Sequence, residues 1–212
     1  MRFDGQHALI YKDHINESIF NKIPVNTKIL DIGCNAGKLG EKLIRQKNCQ
    51  VWGVDNSKQA IKEASKVLTK AEYFNLESGE IPFAGEKFEV IIFGDVLEHL
   101  RWPNIILNNI SNVLDKNGEI IASIPNIANI KIRIKLLLGS WNYTKDGILD
   151  ETHLRFFTKK SILKLFNDEN YKIIELDITP GLNLWSTNMN YNICKLWPTL
   201  LAKQFIIRAI KK

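Results

Sequence analysis

This 212-residue chain has little cysteine, fewer acids than bases and no long apolar run. Its three cysteines, Cys34, Cys49 and Cys194, are odd in number and make no C-x-x-C pair. A disulfide framework is therefore unsupported, and a reduced, cytoplasmic setting is expected. No stretch approaches about 18 apolar residues, so no helix is expected to span a membrane. The opening MRFDGQHALI does not read as a signal peptide, because its apolar run is short and broken by Asp4 and His7. Lys and Arg outnumber Asp and Glu by 29 to 23. The bases are spread along the chain and form no stripe interleaved with stacking aromatics, so nucleic acid is not the expected partner. An apolar share of 45% over this length suits one globular domain, residues 1–212, with a substantial core.

What the chain does have is concentrated in Lys28–Gly40, KILDIGCNAGKLG. Ile29, Leu30 and Ile32 read as a buried strand, with Asp31 inside it and Gly33 and Gly37 bracketing Cys34, Asn35 and Ala36. A helical pattern follows through Leu39, Leu43 and Ile44. Glycine permits positive φ and close backbone approach, and a helix starting under such a turn offers unpaired N–H groups to an anion. The dinucleotide fingerprint needs glycine at 35 and 38, where Asn and Lys stand, and no Gly-Lys-Ser/Thr follows for a P-loop. A second strand, Gln50–Asp55, ends in an acid 22 residues past Gly33. That spacing places Asp55, with Asn56 beside it, where ribose hydroxyls can be bound. An adenosine ligand without a pyrophosphate fits better than NAD.

ILDIGCNAGKLG, VWGVDNS and FEVIIFGDVLEHL together resemble the first, second and fourth strands of class I S-adenosylmethionine (SAM) methyltransferases, over about residues 25–178. The nearest group is that of ubiquinone-biosynthesis O-methyltransferases and bacterial small-molecule and glycan methyltransferases. Asn35 replaces a glycine common in that group, a change suited to asparagine's tolerance of left-handed backbone. The resemblance implies an α/β, Rossmann-like open sheet of about seven strands, mostly parallel with an antiparallel last strand, and helices on both faces. It implies SAM as cofactor, with Asp31, Gly33, Cys34, Asn35, Gly37, Asp55, Asn56, Asn75, Leu76, Gly94 and Asp95 around it.

The remaining elements follow in order. Residues 6–21 read as an amphipathic helix closed by Pro24 and Asn26. Helices are expected over about 37–47 and 58–69, the latter capped by Ser57, with a short strand at 71–76 between them and Phe88–Phe93. After that strand, Asp95, Glu98 and His99 form D-x-x-E-H, a carboxylate–imidazole set that suits a divalent metal. The competing reading has Glu98 and His99 orienting the loop by hydrogen bonds. It is preferred, since no further ligand lies nearby in sequence. Trp102-Pro103 opens a helix, Asp115–Gly118 reads as a turn, and Glu119–Ile124 as the fifth strand. Ser123-Ile124-Pro125-Asn126 is not the N/D-P-P-Y/F motif of exocyclic-amine methylation. An acceptor-side cap is expected over about 126–158, with a helix at 127–140 rich in Lys131, Arg133 and Lys135.

Within that cap, Asp150–Thr158 resembles the D-x-T-H-x-R-F-F-T run of the same group, whose histidine faces the acceptor. His153 is thereby the candidate general base, and structural hydrogen bonding is the alternative. His99 stands on the acceptor side, and Arg155 is a candidate for an anionic acceptor group. Thr158 caps a helix at 159–167. Tyr171–Ile178 reads as strand six, 182–202 as an aromatic excursion lining a pocket, a dimer contact or a sheet cover, and Gln204–Ile210 as the last strand. The expected reaction is methyl transfer to a hydroxyl of a small molecule or glycan intermediate. The alternatives are an RNA or protein methyltransferase and a non-catalytic partner subunit.

Overall fold

A computed structural model describes residues 15–77, 81–83, 85–181 and 187–212. Its elements are α1 (Glu17–Lys22), β1 (Lys28–Ile32), α2 (Lys38–Lys47), β2 (Gln50–Asp55), α3 (Lys58–Ala64), β3 (Lys70–Tyr73), β4 (Phe88–Gly94), α4 (Pro103–Asn109), β5 (Leu114–Pro125), α5 (Ile130–Leu137), α6 (Lys159–Asp168), β6 (Tyr171–Pro180), α7 (Thr187–Leu196), α8 (Pro198–Leu201) and β7 (Ala202–Lys211). The strands form one sheet in the order β3-β2-β1-β4-β5-β7-β6. Every ladder is parallel except the two made by β7. This is the expected Rossmann-like sheet, with its order reversing between β1 and β4, where open α/β sheets bind ligands.

Alternate residues of the central strands serve two cores, as strand periodicity requires. Ile29, Val90 and Ile92 pack with Ile19 and Phe20 of α1, Leu43 of α2 and Ala64 of α3. Leu30, Ile32, Ile91 and Phe93 pack on the other side with Ile106 and Leu107 of α4 and Ile162 and Phe166 of α6. Tyr171 closes that second core, and its buried hydroxyl donates to the Leu107 carbonyl at 2.9 Å.

Several boundaries differ from the sequence expectation. The first helix is described only from Glu17, with Asn16 accepting from the Ile19 amide as its cap. The expected residues 6–14 lie outside the described residues. The helix after Ser57 ends at Ala64 rather than near Thr69, because Lys66, Val67 and Leu68 turn back through i→i+3 and i→i+4 bonds. The third strand stops at Tyr73, where its partner β2 stops, so Asn75 and Leu76 lie in the loop beyond it. Asp115–Gly118 belongs to β5 as a bulge: Leu114 pairs with Phe88, and the ladder resumes only at Glu119 opposite Val90. The cap helix is shorter than expected, starting at Ile130 with Asn129 as its N-cap. Within the aromatic excursion, α7 and α8 fill residues 187–201. Helix α6 begins after Thr158, whose side chain forms a capping box with Ser161.

Candidate active site

The glycine turn after β1 folds over the end of β2. The Gly33 and Cys34 amides both donate to the Val54 carbonyl, at 2.8 and 3.0 Å. Gly33, Asn35 and Gly37 have φ of +75°, +47° and +81°, so every second residue is left-handed. At Gly33 a Cβ would also stand 2.6 Å from Val96 Cγ2. The asparagine at 35 thus adopts the conformation its residue type tolerates.

Asp55 ties this turn to the next one. Its Oδ2 accepts from the Asn35 amide at 2.9 Å and its Oδ1 from the Ser57 amide at 2.8 Å. Burial nevertheless raises its pKa above the ordinary carboxylate range, against those two bonds and one from Asn56. Asp31, on the neighbouring strand, is buried more deeply. Burial, and then the Asp55 charge, push it up to about 7. Cys34 lies beside both acids, and burial raises its thiol pKa as well, so it stays protonated. Two acids on one strand edge make a site of negative potential that a cationic ligand would relieve.

Asp55 is level with Tyr73 in the β2–β3 ladder, so the loop bearing Asn75 and Leu76 starts at the same edge. Asn75 Oδ1 accepts from the Glu77 amide at 3.0 Å, and Glu77 in turn accepts from the Arg101 amide at 2.6 Å. Gly94 ends β4 at this edge, and Asp95 follows with φ of +56°. The Asp95 amide donates to Ser123 Oγ at 3.0 Å, and Gln204 Nε2 donates to its Oδ1 at 2.6 Å. The residues proposed from sequence for SAM thus stand along one carboxyl edge of the sheet.

The acceptor-side candidates converge on Glu98. The Glu98 carbonyl accepts from the Leu154 and Arg155 amides, both at 2.9 Å, which docks the His153 segment on the loop after β4. Asp150, itself buried, shapes that segment by accepting from the Thr152 amide at 2.8 Å and the Thr152 hydroxyl at 2.6 Å. His153 is 9% exposed. Its Nδ1 lies 3.2 Å from the Ile148 carbonyl. A carbonyl can only accept, so Nδ1 carries the proton and, in the neutral ring, Nε2 is left as a lone-pair acceptor. Burial holds the His153 pKa below its usual value, which keeps the ring neutral at pH 7. His99 packs edge-on at 4.8 Å between centroids, and its pKa is likewise lowered, by burial and then by His153.

The Glu98 side chain is 1% exposed, and neither carboxylate oxygen has a hydrogen-bond partner. Burial, then the Asp95 charge, push its pKa well above the ordinary range. Glu98 Oε1 and His153 Nε2 are 4.0 Å apart. Burial shifts the Glu98 carboxyl up and the His153 imidazole down, both toward the uncharged form, which disfavours a salt bridge here. One ligand atom each from Glu98, His99 and His153 lie within 4.8 Å of one another, so these three residues could hold a divalent cation. Asp95 of the D-x-x-E-H segment, turned to Gln204, is not in that set. Arg155 directs Nε and Nη2 at the Arg101 carbonyl, at 2.9 and 2.7 Å, and stacks 5.3 Å from the Trp102 ring.

Sequence reasoning missed three polar side chains here. Gln204 reaches Asp95 from β7, and Asn126 and Asn129 both donate to the Ala202 carbonyl, at 3.0 and 2.9 Å. Both asparagines are essentially buried and pin the cap to the start of β7. The signal for Asn126 and Asn129 was their place just past a buried strand; Gln204 carried none.

The family model described as "Methyltransferase domain" matches residues 5–176. The ubiquinone biosynthesis O-methyltransferase of Bartonella tribocorum is 31% identical over 214 residues, covering 90% of this chain and 82% of that protein. Its namesake from Pelagibacter ubique is 28% identical over 174 residues, covering 79% and 67%. The crystal structure of a SAM-dependent methyltransferase from Methanosarcina mazei superposes with a TM-score of 0.65 at 19% identity, covering 92% of this chain and 96% of that one. With the sheet order, the left-handed turn after β1 and the acidic end of β2, these matches establish that the chain belongs to the class I SAM-dependent methyltransferases.

Proposed function

We propose that this methyltransferase acts on a hydroxyl oxygen of a small molecule or glycan intermediate, with His153 as the general base. The observation that carries this reading is the tautomer of His153. Its Nδ1–H is engaged by the Ile148 carbonyl, its lowered pKa keeps the ring neutral, and Nε2 is left to accept a proton. The names of the Bartonella and Pelagibacter relatives support an oxygen acceptor.

SAM supplies an electrophilic methyl group on a sulfonium, so the protein's work is alignment and proton removal. The Gly33–Gly37 turn offers backbone to the methionine half, Asp55 and Asn56 offer acceptors to ribose, and Asn75 and Leu76 flank the adenine. Asp31 and Asp55 lend negative potential to a cationic ligand. Alignment of oxygen, methyl carbon and sulfur can lower the barrier by about 7–11 kcal/mol. A hydroxyl brought to Nε2 of His153 can pass its proton to that nitrogen, which general-base catalysis values at about 10²–10⁴-fold. Burial shifts Glu98 toward its uncharged form, which lessens its repulsion of an incoming oxyanion. Were a divalent cation held by Glu98, His99 and His153, it would acidify the hydroxyl instead. With Nδ1 of His153 and Nδ1 of His99 directed at protein groups, the latter near the Thr152 carbonyl and hydroxyl at 3.3 and 3.1 Å, Nε2 of each ring is the atom left for proton removal or for a cation, and the metal dependence of turnover decides between the two.

The test is a screen of hydroxylated acceptors with labelled SAM, followed by His153→Ala and His153→Gln on the best one, each with Mg²⁺ and with chelator. The expected result is a fall in kcat of about 10²-fold or more with unchanged SAM affinity and no metal requirement. Undiminished turnover in His153→Ala would remove the base assignment, and strict Mg²⁺ dependence would replace it with the metal reading.

A further inference from the structure

A concave site adjoins the turn at Ile148, the residue whose carbonyl meets His153. Asn129 after β5, Gly181 after β6 and Lys203 at the start of β7 bring it to the same sheet edge as the cofactor residues. It encloses about 240 Å³. Ile132, Ile148 and Leu149 form an apolar floor, and Lys131, Lys135 and Lys203 stand around it. Among the described residues none of these three ammonium groups makes an ion pair. Three lysines lining one cavity without a carboxylate partner give it a positive potential that suits a multivalent anion.

A second feature adjoins it. Helix α5 docks through Ile132 and leaves Ile134, Leu136, Leu137 and Leu138 exposed, Leu137 at 85%. Lys131 and Lys135 flank this apolar ridge. Cations around a hole with an apolar rim suit an anionic headgroup joined to an apolar body.

We propose that this cavity is an acceptor subsite for a phosphate ester, the phosphate seated among Lys131, Lys135 and Lys203. The inference rests on the methyltransferase reading above and narrows its acceptor to phosphate-bearing hydroxy compounds. A carboxylate carries one charge and would leave two of the three cations unmatched, whereas a phosphate monoester carries up to two charges on three oxygens. The volume, roughly eight times the ~30 Å³ of one liquid water, admits the phosphate with part of the group it esterifies. Ile148 lines the cavity and its carbonyl meets His153 Nδ1, so the subsite and the proposed base share one turn.

The test is a titration of isotope-labelled protein, loaded with S-adenosylhomocysteine, by inorganic pyrophosphate and by acetate, read as backbone amide shifts. Pyrophosphate is expected to move amides within residues 129–135 and 144–149, at Gly181 and around Lys203, with acetate weaker by about tenfold or more. Lys131→Gln/Lys203→Gln should weaken pyrophosphate about tenfold, and Lys131→Arg/Lys203→Arg should restore it. Lys172→Gln, on β6 outside the cavity, should change nothing. Shifts centred elsewhere, equal shifts with acetate, or indifference to the glutamine pair would overturn the subsite, and the spectrum itself reports whether each variant is folded. Calorimetry with S-adenosylhomocysteine on the same samples separates this from the cofactor reading, because retained cofactor binding with lost phosphate specificity overturns the subsite alone. Dihexanoyl phosphatidate distinguishes the source. Tighter binding than pyrophosphate, lost in Leu137→Glu/Leu138→Glu, identifies a lipid phosphate, and parity identifies a water-soluble ester; both uphold the subsite.

Discussion

Gly33→Ala tests the turn on which the proposed cofactor site is built. The position has φ of +75°, and a Cβ there would lie 2.6 Å from Val96 Cγ2. Left-handed backbone costs an L-residue about 1–2 kcal/mol. Forcing a methyl into a filled site costs about 1–3 kcal/mol more. The sum, about 2–5 kcal/mol, is a large share of the 5–15 kcal/mol that stabilises a typical protein. At about 2–4 °C per kcal/mol for a chain of this size, the midpoint should fall by about 4–20 °C. The two components separate in a double-mutant cycle, because Val96→Ala removes the overlap and leaves the backbone strain. Urea unfolding of wild type, both single variants and the double variant should show Gly33→Ala about 1–3 kcal/mol less harmful in the Val96→Ala background. Additive effects would refute the overlap, and a Gly33→Ala cost below about 1 kcal/mol would refute the left-handed conformation as well.

Other outcomes follow from the same geometry. Asp31 has a folded pKa of about 7, so it is mostly protonated at pH 6 and mostly ionised at pH 8. Cationic SAM binds the ionised form better, so affinity measured by calorimetry should rise by up to about tenfold per pH unit below 7 and level off above it. Asp31→Asn should flatten that profile, and an unchanged profile would disconnect Asp31 from the ligand. For stability of the free protein the sign is opposite. A carboxyl whose folded pKa is raised contributes stability below its unfolded value, and that contribution is lost as pH rises through about 7. Thermal midpoints at pH 5 and 8 should therefore converge in Asp31→Asn. Tyr171→Phe removes the donor to the buried Leu107 carbonyl and should cost about 1–3 kcal/mol by urea unfolding, with SAM affinity unaffected.

The parts of the fold legible in sequence were those set by local periodicity and chain order. Ile29–Ile32, Val51–Val54 and Phe88–Phe93 are buried on both faces and read as parallel strands from their apolar runs alone. Asp55 stood out because the end of β2 lies beside the turn after β1 in any such sheet. Boundaries were lost where tertiary pairing decided them: β3 ends at Tyr73 because β2 ends at Asp55, and Asp115–Gly118 bulges while remaining in β5. His99 and His153 were each singled out, yet 54 positions separate them, and nothing local shows that their rings meet over Glu98. Gln204 was invisible for the same reason, being a strand residue whose partner, Asp95, lies 109 positions earlier. Lys131 and Lys135 were noted as basic residues of a cap helix. Their place beside Lys203 around one cavity needed the antiparallel return of β7.

The most direct measurement is calorimetric titration of the protein and of its Asp55→Asn variant with S-adenosylhomocysteine. The account predicts micromolar binding by the wild type. It predicts at least about tenfold weaker binding by the variant, as expected on losing a charged hydrogen-bond acceptor. A folded wild-type protein that binds neither this compound nor SAM, or a variant that binds as tightly as wild type, would contradict the placement of the cofactor at the ends of β1 and β2.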